Sequence, residues 1–160
     1  MRFFLLIVII LASGYSFSQT SNLKLHTHTF EEVEQLQKIQ QKPVVIFIHT
    51  FWCKFCYAMK EKTFTNAEVI NLLNEKFYFI TFDANFKGAV RYMGRSFNSK
   101  RISRSYGIHE LAEVLATTDK GISYPTTVIL DAKNTIDEQI TTYLSAKQLL
   151  SGLNAYLQRE

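Results

Sequence analysis

Glycine and proline are scarce in this chain, with six and two residues among 160. No internal repeat or low-complexity tract is present, so solenoids, fibres and disordered linkers fall away as readings. Cysteine is just as rare, at two. One chain therefore cannot build a four-thiolate zinc site, and it can close at most one internal disulfide. After residue 18 no apolar run reaches the roughly 20 residues that a transmembrane helix needs.

What is present begins with a leader. Met1-Arg2 is a short positive start, and Phe3 to Ala12 is unbroken apolar sequence. Ser13-Gly14 and Ser16-Phe17-Ser18 supply small residues of the kind a signal peptidase reads. We expect residues 1–18 to be an export signal cleaved near Ser18–Gln19, with an uncleaved membrane anchor as the alternative. No cysteine lies near that position, which disfavours a lipid anchor. Loss of Arg2 takes the formal charge from +4 to +3. Residues 19–160 then suffice for one compact domain with its own core, rich in aromatics at 13 Phe and 8 Tyr.

Hydrophobic periodicity orders the elements. Leu23-Lys24-Leu25 reads as a short edge strand. Thr29 to Glu32 has capping-box form, and Val33, Leu36 and Ile39 continue at helical spacing to about Gln41. Pro43 opens Val44 to Ile48, an apolar run typical of a strand buried on both faces. A helix follows from about Trp52 to Lys62. Thr65 to Glu68 reads as a second capping box ahead of Val69, Ile70, Leu72 and Leu73. Phe77 to Asp83 is another strand. Segment 85–120 shows no regular pattern until a short helix at Ile108 to Ala116. Tyr124 to Leu130 and Ile136 to Thr142 flank a turn at Asp131 to Asn134. Ser145 caps a final amphipathic helix through Leu157. The fold class is α/β, a mixed sheet with helices on both faces.

The distinctive motif is Phe51-Trp52-Cys53-Lys54-Phe55-Cys56, where the apolar strand breaks into a helix. Two thiols three residues apart at a helix start can interconvert between dithiol and disulfide. A purely structural bridge is the first alternative, but so small a loop removes little entropy from the unfolded chain. Half of a metal site is the second.

Together with Lys42-Pro43-Val44-Val45 before it and Tyr124-Pro125-Thr126 after it, this motif resembles the thioredoxin-like family over about Phe30 to Leu157. Lys60 to Phe64 is similar to exported members and to the C-terminal domain of the DsbD reductant carrier. A lone Cys-x-x-Cys is weak; three signals in this order are specific. The resemblance implies a thioredoxin fold with an insertion at 85–120, before the strand that a cis Pro125 opens. It also implies Cys53 as nucleophile and Cys56 as resolving thiol. The helix N-terminus and Lys54 both favour a thiolate at Cys53. Tyr124, the residue before Pro125, offers backbone hydrogen bonds to a bound peptide. Trp52 is either a flat apolar surface for partner chains or a core residue. Lys54 and Phe55 replace the Gly-Pro of reductant thioredoxins and modulate the potential. His49 either shuttles protons or closes the strand end.

One departure stands out. The buried acid six residues before the first cysteine is replaced by Phe47, leaving water, His49 or Glu61 to assist the resolving thiol. Between Phe86 and His109 the chain carries Lys87, Arg91, Arg95, Lys100, Arg101 and Arg104 and no acid, interleaved with Phe86, Tyr92, Phe97 and Tyr106. That segment is a docking surface for an acidic partner, a shield for the groove, or a solvated loop anchored by its aromatics.

The expectation is an exported, monomeric, periplasmic thiol–disulfide oxidoreductase. It would need no metal or organic cofactor beyond the Cys53–Cys56 pair. Its partners would be envelope protein thiols and a membrane thiol donor, not nucleic acid. The rival readings are a disulfide donor or isomerase, a redox-inactive binding module, and a secreted or membrane-anchored form.

Overall fold

The computed structural model describes residues 23–103 and 107–159. The export signal expected at 1–18, and Arg104 and Tyr106 of the basic segment, lie outside the described residues. Pro43 leads into β1 (Val44–His49), all six of whose residues are buried. Strand β2 (Tyr78–Asp83) pairs with it in parallel, from Val44 opposite Tyr78 to His49 opposite Asp83. Strand β9 (Thr126–Leu130) pairs with it antiparallel on the other side, and β10 (Ile136–Ile140) completes the order β10-β9-β1-β2.

Because side chains alternate across a strand, β1 feeds two cores. Val44, Ile46 and Ile48 meet Phe30 and Val33 of helix α1 (Phe30–Ile39) and Leu111, Ala112 and Leu115 of helix α4 (Glu110–Ala116). Val45 and Phe47 meet Cys56 and Met59, then Val69 and Leu73 of α3 (Ala67–Lys76) and Leu149, Leu153 and Tyr156 of α5 (Ala146–Leu157). Each such side chain contributes about 1.5–3 kcal/mol by leaving water. A continuous apolar strand is therefore the residue pattern that a three-layer sandwich requires.

Caps fix where helices begin. Thr29 with Glu32, and Ser145 with Gln148, form reciprocal capping boxes. At α3 the cap is Asn66, whose side chain accepts from the backbone N–H of Glu68 and Val69. Thr65, the expected cap, instead donates to Glu61 O at 2.7 Å. The adjacent amide side chain reaches the orphan N–H groups and wins them. The edge strand expected at 23–25 is absent. Asn74 holds that lead instead, accepting from His26 N and donating to Lys24 O, both at 2.9 Å. A single side chain thus replaces a ladder of backbone bonds.

Segment 85–120 is built from strand pairs and ends in the core. Strand β3 (Val90–Tyr92) pairs with β4 (Arg95–Phe97), and β5 (Ser99–Arg101) with β6 (Gly107–His109). After α4, β7 (Thr117–Thr118) and β8 (Gly121–Ile122) form a last short pair. Tyr92 is buried, donates to Asn134 Oδ1 at 2.7 Å, and is pushed up to about 12, chiefly by burial. His109 is fully buried, and its Nδ1 accepts from Leu111 N at 3.2 Å, capping α4. Its Nε2 lies 3.1 Å from Gly88 O, clamping the first ribbon to the helix. The described cations stay at the surface, Lys100 paired with Glu113 and Arg95 over the Phe97 ring. The aromatics are the anchors.

Two buried threonines make opposite predictions. Thr63 Oγ1 donates to Leu144 O at 2.7 Å and ties the cysteine helix to the approach to α5. Thr63→Val should cost about 1–3 kcal/mol in urea unfolding, because it strands a buried carbonyl. Thr127 Oγ1 is also buried but has no partner among the described residues. Thr127→Val should leave stability unchanged or raise it, by the same measurement.

Candidate functional site

The site forms where β1 ends. His49 closes the strand, Thr50 to Cys53 turn outward, and helix α2 (Lys54–Ala58) starts with Cys53 as its N-cap. Cys53 Sγ accepts from the backbone N–H of Cys56 at 3.0 Å, doing the work of a capping oxygen. The two cysteines are disulfide-bonded, with Cα atoms 5.2 Å apart. The helix expected from Trp52 thus begins two residues later, with the Cys53 sulfur serving as the cap. It also changes period: Met59–Thr63 is a π-helical turn, closed by Phe64 N to Met59 O at 3.0 Å. Such widened turns recur at functional sites.

The pair is asymmetric. Cys53 keeps 7% of its surface and Cys56 only 1%, so an incoming sulfur reaches Cys53 first. Around Cys53 the side chains are aromatic and exposed: Phe51, Trp52, Phe55 and Tyr57. Trp52 stands edge-on to Tyr124, ring centroids 5.9 Å apart, and Phe55 leans towards Tyr143 at 6.4 Å. The Trp52–Tyr124 contact brings the cysteine loop beside the Tyr124–Pro125 peptide bond, which is cis. Pro125 itself is buried and Tyr124 half-buried, while Lys54 is exposed next to the nucleophile position. Trp52 therefore lies at the surface rather than in the core.

The polar residues divide. Phe47 is fully buried, packed against Phe64 with centroids 4.8 Å apart, so no carboxylate lies at that position. Glu61 is exposed on the π turn. His49 is buried, with Nδ1 3.3 Å from Lys60 Nζ. Burial, followed by the Lys60 charge, lowers its pKa to about 4 against a partial upward pull from Asp83. Lys60, one helical turn past Cys56, is itself lowered by desolvation. At neutral pH His49 is uncharged, and its Nδ1 accepts a hydrogen bond from the Lys60 ammonium. Sequence reasoning gave Lys60 and Tyr57 no role at the site; Lys60 meets His49, and Tyr57 sits one turn after Cys53, its N–H donating to Cys53 O at 3.1 Å.

Folded His49 titrates near 4 against 6.5 in the unfolded chain, so the unfolded state binds more protons between those values. Its stabilisation is complete above about pH 6.5 and is lost as pH falls towards 4. From about pH 7.5 to 5, urea-unfolding free energy should fall by about 1–2 kcal/mol more in the wild type than in His49→Gln, after allowing for solvent screening.

With this geometry in view, the comparisons with known proteins fall into place. A family model described as a thioredoxin-like domain matches residues 30–157. Among curated proteins none matches the chain. Among solved structures it is similar to the oxidoreductase DsbH, with 18% identity, a TM-score of 0.61, and coverage of 93% of this chain and 97% of that one. A thioredoxin from Thermus thermophilus gives 17% identity and a TM-score of 0.60, covering 84% of this chain and 88% of that one. The reduced DsbD C-terminal domain of Neisseria meningitidis gives 16% and 0.51, covering 78% and 90%. At such identities the structures speak to fold alone. The family match runs from the first described helix to the last, and by it this chain belongs to the thioredoxin-like domain family.

Proposed function

We propose that the chain is an exported thiol–disulfide oxidoreductase acting on protein substrates of the cell envelope, in the reducing or interchange direction. The observation that carries the exchange chemistry is the asymmetric Cys53–Cys56 disulfide at the start of α2, in which Cys53 keeps slight exposure and Cys56 almost none. In the dithiol state the Cys53 thiolate attacks a partner disulfide. A mixed disulfide forms and one partner thiolate leaves. The Cys56 thiolate then attacks Cys53 Sγ, closing the internal bridge and releasing the second partner sulfur as a thiol. Two electrons pass to the partner. A membrane thiol donor would restore the dithiol, and the chain needs no metal or organic cofactor for either step.

Export is supported by the leader-like residues 1–18, and the reducing direction by the resemblance to DsbD. The similarity in fold to DsbH and the Neisseria domain agrees with such a role. Trp52, Tyr124 and Pro125 would form the partner-binding side, while Lys54, Phe55 and His49 tune the pair. Residues 19–160 would act as one monomeric domain.

Cys53→Ser should abolish reduction of a model protein disulfide, whereas Cys56→Ser should trap mixed disulfides visible on non-reducing gels. Full activity in Cys53→Ser would overturn the mechanism. Equilibration in defined thiol buffers should give a reduction potential near or below about −250 mV. A value of roughly −180 to −120 mV would reverse the direction and make the protein a disulfide donor or isomerase.

A further inference from the structure

The aromatics that anchor segment 85–120 leave its cations and two of its apolar side chains in water. Between Asp83 and Glu110 the sequence carries six cations and no acid. Lys100 pairs with Glu113, and Glu31 and Glu34 of α1 border Arg91. Lys87, Arg95 and Arg101 have no ion pair among the described residues. A run of one sign that the fold leaves unneutralised attracts a negative surface.

The two hairpins of the segment share a base. His109 Nε2 lies 3.1 Å from Gly88 O, and Glu110 N donates to Asn98 O at 2.9 Å. From that base each hairpin runs to an exposed apolar residue beside cations. Met93, 53% exposed, follows Arg91 and precedes Arg95; Ile102, 60% exposed, follows Lys100 and Arg101. Met93 and Gly94 form the first turn with φ of 52° and 72°. A two-residue turn with positive φ at both positions favours Asn-Gly. Methionine is disfavoured there by its Cβ, and the Met93 side chain belongs to neither core. Neither the turn nor the packing accounts for it.

An apolar side chain at a protruding turn with cations beside it suits an anionic bilayer. The apolar group enters the boundary between headgroups and acyl chains while Arg and Lys meet phosphate. We propose that the two hairpin tips, Met93 with Arg95 and Ile102 with Arg101, hold this protein on an anionic phospholipid surface. A folded acidic protein would attract the same cations, but it must supply a matching pocket for each tip, whereas a fluid bilayer needs none. Nothing in this contact depends on the exchange function, although a chain held at the membrane would stand where a membrane thiol donor acts.

Protein lacking residues 1–18, which retains every described residue, is mixed with phosphatidylcholine vesicles with or without phosphatidylglycerol, and bound protein is measured by flotation. Wild type should bind only the vesicles that contain phosphatidylglycerol, more weakly as salt rises. Arg95→Gln/Arg101→Gln should weaken binding about 25-fold, at about 1 kcal/mol per cation. Met93→Ser/Ile102→Ser should weaken it about tenfold, from the apolar area that no longer leaves water. Lys147→Gln, which removes an exposed cation from α5 on the opposite face of the sheet, should bind as wild type does. All four tip side chains are exposed, and matching urea-unfolding midpoints would exclude a folding defect. No binding to phosphatidylglycerol vesicles, or binding that either double variant leaves intact, would overturn the proposal. So would tighter binding to polyglutamate that is indifferent to Met93→Ser/Ile102→Ser, which would make the segment a docking surface for acidic protein.

Discussion

Everything in this molecule hangs on the burial of β1. Its six residues are enclosed on both faces, so it cannot shift along its neighbours without moving apolar side chains into water on two sides at once. Val44, Ile46 and Ile48 hold α1 and α4; Val45 and Phe47 hold the cysteine helix, α3 and α5. The point at which β1 leaves the core sets where Cys53 emerges. A rigid strand therefore positions the Cys53 sulfur, which the short turn after it could not fix alone.

The same strand explains the electrostatics of the site. A thiol-exchange centre gains from charge near its sulfurs, but an unpaired charge beside a buried strand is costly. Here the strand interior is apolar at Phe47, and the polar group moves one strand repeat outward to His49, where Lys60 and Asp83 can reach it. The imidazole stays neutral, and the cations Lys54 and Lys60 lie towards solvent on the helix side. The helix start and Lys54 lie on the solvent side of the pair, while the layer beneath the disulfide is hydrocarbon.

Capping boxes at Thr29 and Ser145, the buried run after Pro43 and the Cys-x-x-Cys at a helix start were all legible, because each depends on residues within one helical turn or one strand. Misreadings came where local rules offered two answers. Thr65 and Asn66 both suit an N-cap, and only the packing of α3 decides which is aligned. Leu23 to Leu25 alternates like a strand, but its backbone is held by the Asn74 amide instead. The π turn at Met59–Thr63 left no trace in the periodicity. Segment 85–120, read as a docking face, a shield for the groove or a solvated loop anchored by its aromatics, is held to the fold through Tyr92 and His109.

The sequence by itself determined the family, the cysteine pair at a helix start and the order of most elements, since hydrophobic period and motif spacing act over a few residues. Tertiary structure decided which cysteine keeps some exposure, that Trp52 meets Tyr124, and that Phe51, Phe55 and Tyr57 stay exposed instead of filling the core. Those outcomes depend on which surfaces the sheet had already used. Both faces of β1 were filled by other side chains, so the aromatics beside the cysteines were left in water.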